Sequence, residues 1–181
     1  RKVFREAGVP LPEGFEDLRT LHDVEEALLE LHRRRPGLRK AVVKLDDSFS
    51  GEGNALFRYP DRVDRDSVRE AMERFEYAVS WETNVDYFAR FERMGGIVEE
   101  FLDGDHKTSP SVQLRVDPHG AVIPISTHDQ VLGGTSGQVF LGCLFPAASE
   151  YRLKIQDEAM KIGAVLARHG VMSRLAVDFL A

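Results

Sequence analysis

The feature that most constrains this chain is a change of hydrophobic period at the double glycine Gly95-Gly96. Upstream, apolar residues recur at helical spacing. Val24, Ala27, Leu28 and Leu31 fall at i, i+3, i+4, i+7 behind Asp23 and Glu26, which read as a capping box, and Pro36-Gly37 ends that helix. From Asp66, Val68, Met72, Phe75 and Val79 continue the same rhythm, and Val85, Phe88 and Phe91 mark another helix. Between these helices lies a strand carrying Ala41, Val43 and Leu45, a polar run over 46–53, and a second strand over 54–58. The segment 7–14 ahead of all this, AGVPLPEG, reads as a loop.

Downstream of Gly96 the period is two. Strands are expected over 97–102 and around Val112, Leu114 and Val116, which alternate with Gln113 and Arg115. Asp117-Pro118-His119-Gly120 suits a type I turn into a strand over 121–127, with another over 138–144. One long amphipathic helix, marked by Tyr151, Ile155, Ala159, Ile162 and Leu166, closes at His169-Gly170 before a last strand over 174–180. The expected class is α+β, as two small lobes over 1–96 and 97–181, the second mostly antiparallel sheet.

Composition excludes several functions. At 181 residues and 43% hydrophobic the chain can bury a core. Its charge balance of 24 − 30 = −6 is offset by no long lysine or arginine run, so no nucleic-acid partner is expected. No apolar stretch approaches the roughly 20 residues that span a bilayer, and the N-terminus lacks a signal-peptide core. A cytoplasmic chain without membrane partners is expected. The single cysteine, Cys143, rules out an internal disulfide and a Cys-cluster zinc site. Beside Leu141, Leu144 and Phe145 it reads as a buried small hydrophobe. Arg1 and Ala181, which follows directly on an apolar stretch, read as the ends of a piece of a longer protein.

Chemistry concentrates in a few places. The loop Ser48-Phe49-Ser50-Gly51-Glu52-Gly53 between two strands can turn backbone N–H groups toward an anion, and Lys44 precedes it on the strand face opposite Ala41, Val43 and Leu45. Taken alone, the loop also fits a plain hairpin and the lysine a solvated face. Gln113 and Arg115 share one face of their strand, where Arg115 can meet a phosphate or carboxylate bidentately. Leu175, Val177 and Phe179 make one face of the last strand, leaving Arg174, Ala176 and Asp178 on the other. His128 and Asp129 are adjacent on a strand and so point to opposite faces, which argues against a hydrolase dyad.

Lys44 with its glycine loop, the AGVPLP opening, EEFLDGD over 99–105 and VDFL over 177–180 follow the order of the ATP-grasp superfamily. The segment 126–147, STHDQVLGGTSGQVFLGCLFPA, resembles in particular the carboxylate-amine ligases of the pheganomycin-type peptide ligase group. The resemblance implies ATP held between two lobes. Lys44, Ser50, Gly51 and Gly53 would meet its phosphates, Glu99 its adenine amino group through the carboxylate, Glu100 through the backbone carbonyl, and Leu102 a ring nitrogen through its N–H. Asp105 or His106 would meet the ribose. Arg115 and Arg174 would serve catalysis, and Asp178 would be the first Mg²⁺ ligand.

Two departures from the superfamily pattern stand out. The residue two before Asp178 is Ala176 rather than arginine, with Arg174 four before. The Glu-x-Asn pair that completes the family's metal site lies on a following strand, and this chain stops at Ala181. The piece is therefore expected to be truncated before its second metal-ligand strand and catalytically incomplete. The resemblance implies an ATP-dependent ligase that joins a small-molecule carboxylate and amine through an acyl phosphate. The alternatives are a carboxylate-thiol ligase of the same superfamily and a non-catalytic nucleotide-binding module.

Overall fold

The computed structural model describes residues 1–49, 52–104, 106–133, 137 and 139–181. The elements run α1 (Lys2–Glu6), β1 (Gly14–Leu18), α2 (Leu21–Arg34), β2 (Lys40–Leu45), β3 (Asn54–Arg58), α3 (Arg65–Met72), β4 (Glu76–Tyr77), α4 (Asn84–Met94), β5 (Gly96–Glu100), β6 (Ser109–Val116), β7 (Val122–Gly133), β8 (Val139–Leu144), α5 (Arg152–Arg168) and β9 (Arg174–Asp178). The class is α+β. The chain divides into two compact units, one of Arg1–Leu11, Asp103–Leu132 and Leu141–Ala181, the other of Pro12–Leu102 and Gly133–Phe140. Among the described residues no helix is long and apolar enough to cross a membrane.

In the unit built on Pro12–Leu102, β1-β5-β2-β3-β4 form a five-stranded sheet, with every neighbouring pair antiparallel. The helical stripe read from the sequence is the buried face of α2: Val24, Leu28 and Leu31 are fully buried against Ala41, Val43, Phe57 and Val98 of the sheet. Each such side chain contributes about 1.5–3 kcal/mol. The cap differs from expectation by one turn. Thr20 is the N-cap, its hydroxyl accepting the Asp23 N–H at 3.1 Å, while Asp23 accepts the Thr20 N–H at 2.8 Å. Asp23 is thus the third helical residue and takes the part assigned to Glu26, because an acceptor must sit ahead of the orphan N–H groups it satisfies.

The second helical reading runs too far. α3 stops at Met72, and β4 pairs with β3 through Ala55↔Tyr77 and Leu56↔Glu76. Phe75 is buried, so its burial in a connection imitates one more helical turn. Val85 is also misplaced. It is 79% exposed, and the buried face of α4 is Tyr87, Phe88 and Phe91. The segment 7–14 is a loop apart from Gly14, which opens an unexpected strand, β1, and α1 was likewise unmarked: neither has a long enough apolar repeat to register.

In the other unit, β8-β7-β6-β9 form a four-stranded sheet. Val112, Leu114 and Val177 on its inner face pack against Ile155, Ala159 and Ile162 of α5, together with Val9. The expected type I turn closes with the Gly120 N–H donating to the Asp117 carbonyl at 3.0 Å. Cys143 corrects another expectation, because it is exposed. It sits on β8, the outermost strand in the sheet order, where Leu141, Leu144 and Phe145 are also more than half exposed.

Candidate functional site

Strand register explains the surroundings of Lys44. β2 and β5 pair with Val42 opposite Glu99 and Lys44 opposite Ile97, which puts the lysine and glutamate on one face as diagonal neighbours. Such neighbours lie within reach of a long side chain. The Lys44 ammonium donates to the Glu99 carboxylate. Glu99 is nearly buried at 10% side-chain exposure, and Lys44 is 36% exposed, so the cation keeps an open side. Glu100 points to the opposite face and is occupied differently. Its carboxylate accepts the Glu13 N–H at 2.9 Å and pairs with Arg35 at 3.3 Å, while its own N–H donates to the Glu13 carbonyl. Leu102 lies beyond the end of β5 and is 37% exposed.

The loop after β2 is anchored at its base. The Leu45 N–H donates to the Gly53 carbonyl at 3.0 Å, and the Glu52 N–H to the Phe49 carbonyl at 2.9 Å. Phe49 is 80% exposed. Ser50, Gly51 and Asp105, three of the expected nucleotide contacts, lie outside the described residues, as do Gly134, Thr135, Ser136 and Gln138 of the glycine-rich segment. His106 is exposed.

In the other unit the polar faces of β6, β7 and β9 are contiguous. Ser111 stands opposite both Asp178 and His128, Gln113 opposite Ala176 and Ser126, and Arg115 opposite Arg174. Asp178 is exposed on this face. The two arginines are brought together as a cross-strand pair, but they lie four residues from the Ser111–Asp178 pair, roughly 13 Å at about 3.3 Å per residue. Asp129 points the other way. It accepts the Ala148 N–H at 2.9 Å and the Tyr151 hydroxyl at 2.6 Å, which makes it an anchor for the start of α5. The sequence marks His128 only as a neighbour of Asp129 and does not mark Ser111, because only register reveals that Ser111 stands between His128 and Asp178. A groove of about 300 Å³ runs between β7 and the start of α5, lined by Ser126, Thr127, Phe145, Arg152, Leu153 and Gln156 among others, and Asp178 is not part of it.

Carboxylate oxygen is the ligand chemistry that Mg²⁺ takes, and Asp178 offers it. Among the described residues it has no cluster of further ligands. The one group of three that could hold a metal is His22, Glu25 and Glu26 on α2, where Glu25 already accepts from Arg65 and Arg69.

Residues 66–181 match the family model described as IQCH-like, ATP-grasp. The chain belongs to this ATP-grasp family. It is 34% identical over 184 residues to L-propargylglycine–L-glutamate ligase of Streptantibioticus cattleyicolor, covering 99% of this chain and 36% of the relative. It is 23% identical to IQ motif-containing protein H of Danio rerio, covering 99% of this chain and 20% of that protein. The chain thus spans about a third or less of the curated relatives it matches. In fold it is similar to the biotin carboxylase domain of 2-oxoglutarate carboxylase from Hydrogenobacter thermophilus, solved with MgADP, ADP and bicarbonate. The TM-score there is 0.68 at 16% identity, over 99% of this chain and 35% of that one.

Proposed function

We propose that this chain is the ATP-binding region of an ATP-dependent carboxylate-amine ligase. The observation that carries the reading is the placement of Lys44 beside Glu99 at the mouth of the glycine loop, in an ATP-grasp chain related to a ligase that joins two amino acids by name. Lys44, Ser50, Gly51 and Gly53 bind the phosphates; Glu99, Glu100 and Leu102 take the adenine, and Asp105 or His106 the ribose. Glu99 in this role accepts both the adenine amino group and the lysine, which keeps the ammonium aimed along β2. Arg115 and Arg174 hold an anionic substrate group, and their distance from Asp178 suits a carboxylate remote from the reacting one. The work is done in the cytoplasm on small carboxylates and amines.

In the reaction a substrate carboxylate oxygen bonds to the γ-phosphorus as the bond to the β-phosphate oxygen breaks, releasing ADP. The amine nitrogen then bonds to the acyl carbon, phosphate leaves, and the nitrogen loses a proton. Catalysis of this kind rests on positioning and on fixed positive charge. Asp178 would hold Mg²⁺, which when bound would supply further neutralisation of phosphate charge. With hydroxylamine in place of the amine, the full-length protein, ATP and its carboxylate are expected to give a hydroxamate and inorganic phosphate. Release of pyrophosphate would instead indicate an acyl-adenylate and overturn the mechanism.

A second reading, a nucleotide-binding module without catalysis, is favoured by Asp178 standing without clustered ligands among the described residues. ATP binding without phosphate release across a panel of amino acids would select it.

A further inference from the structure

Tyr87 enters the core from α4 with no exposed surface, its ring against Tyr77, Phe88 and Phe91. A phenylalanine would fill the same space, so the hydroxyl answers a separate need. That hydroxyl is shared between two carbonyls, Val43 and Gly53, each at 3.0 Å. Val43 immediately precedes Lys44 on β2, and Gly53 closes the glycine-rich loop where β3 begins. One buried proton donor therefore ties together the two arms of the loop at its base, from a helix outside the hairpin. The junction is tight. A Cβ added at Gly53 would lie 2.3 Å from the Cβ of Ser48 and 2.6 Å from its hydroxyl oxygen, so the loop closes at this point only because Gly53 has no side chain.

We infer that the Tyr87 hydroxyl is a positioning group for phosphate binding: it sets the spacing of the loop arms and the direction in which Lys44 leaves β2. The inference rests on the reading that ATP phosphates lie against Lys44 and this loop. Loop arms tied at their base before the ligand arrives do not have to be tied at the ligand's expense, and a cation displaced by a fraction of an ångström loses a charge-assisted contact. Tyr87, Val43 and Gly53 are not among the proposed adenine contacts, and Glu99, which links Lys44 to the adenine, stands on a separate strand, β5, so the larger effect is expected on the phosphates.

The test compares ATP with adenosine in the full-length protein, by calorimetry for ATP and by displacement of a fluorescent nucleotide for adenosine, with thermal unfolding followed alongside. Tyr87→Phe is expected to fold and to bind ATP about tenfold more weakly, the scale of one lost hydrogen bond, while adenosine affinity stays within about twofold. Gly53→Ala, which disturbs the same junction from the loop side, is expected to shift the ATP-to-adenosine ratio in the same direction. ATP affinity unchanged in Tyr87→Phe, or ATP and adenosine weakened in parallel, overturns the inference and leaves the hydroxyl as a packing group. If Tyr87→Phe is partly unfolded at the working temperature, the same two titrations below its unfolding midpoint decide, and an unchanged ratio there overturns the inference. A wild-type protein that gains no affinity from the phosphates sinks the nucleotide reading itself, and this inference with it; the two failures are told apart by the wild-type ATP titration.

Discussion

Lys44 shows how a single side chain can be judged by two different measurements. Its ion pair with Glu99 is part-exposed on the lysine side and nearly buried on the carboxylate side, and leaving such an acceptor without its donor costs about 1–3 kcal/mol. A charge-assisted contact to a phosphate is of similar size. Lys44→Ala is therefore expected to lower stability by about 1–3 kcal/mol and to weaken ATP binding by about 1–3 kcal/mol, the first measured by thermal unfolding and the second by calorimetry on the folded full-length protein. Equal ATP affinity would remove Lys44 from the site and return the loop to the role of an ordinary hairpin. Glu100, adjacent in sequence, carries a different burden: two groups on separate segments, Glu13 and Arg35, converge on its carboxylate.

At the scale of the element, α2 is held by its first turn as much as by its apolar face. The backbone N–H of Arg19, then the N–H and hydroxyl of Thr20, hold the Asp23 carboxyl below the ordinary carboxylate range. Burial opposes ionisation of Glu25, but hydrogen bonds from Arg69 and then Arg65 outweigh it and hold that carboxyl low as well. A folded-state value below the unfolded one means stability that is complete above the unfolded value of about 4 and is lost as pH falls through the folded value. Thermal unfolding is expected to be flat from neutral pH to about pH 5 and to fall steeply below about pH 4. Asp23→Asn should flatten part of that acid limb, and Thr20→Ala should cost about 1 kcal/mol at neutral pH. An acid limb of the same depth in Asp23→Asn would show that the cap titrates without consequence.

At the scale of the molecule, each unit has its own core, centred on Phe57, Leu28 and Val98 in one and on Leu114, Ile162 and Val177 in the other. The polar sheet face of the second unit presents Asp178 as an isolated acid. A divalent ion with few protein ligands is completed by water and by whatever anion accompanies it. Titration of this 181-residue chain with Mg²⁺ is expected to show saturable binding only when ATP is present, and Asp178→Asn to abolish that binding while changing unfolding by no more than about 0.5 kcal/mol. Tight Mg²⁺ binding without nucleotide would mean that other residues complete the site.

The α+β class, the long helices, the alternating strands and the superfamily were legible in the sequence, because apolar period and turn residues are local properties and the superfamily order is linear. Short elements were not: β1 and β4 are held by pairing with distant strands, and α3 ends where β3 recruits its continuation. Exposure at an edge was equally invisible, so Cys143 among apolar neighbours reads as buried until the sheet order places β8 outermost. Only tertiary structure decided that Lys44 meets Glu99, that Arg115 faces Arg174, and that Tyr87 reaches across to the base of the loop. Each of these depends on register between strands or on the docking of a helix: a shift of one residue would turn the strand side chains to the other face and swing Tyr87 about 100° around α4.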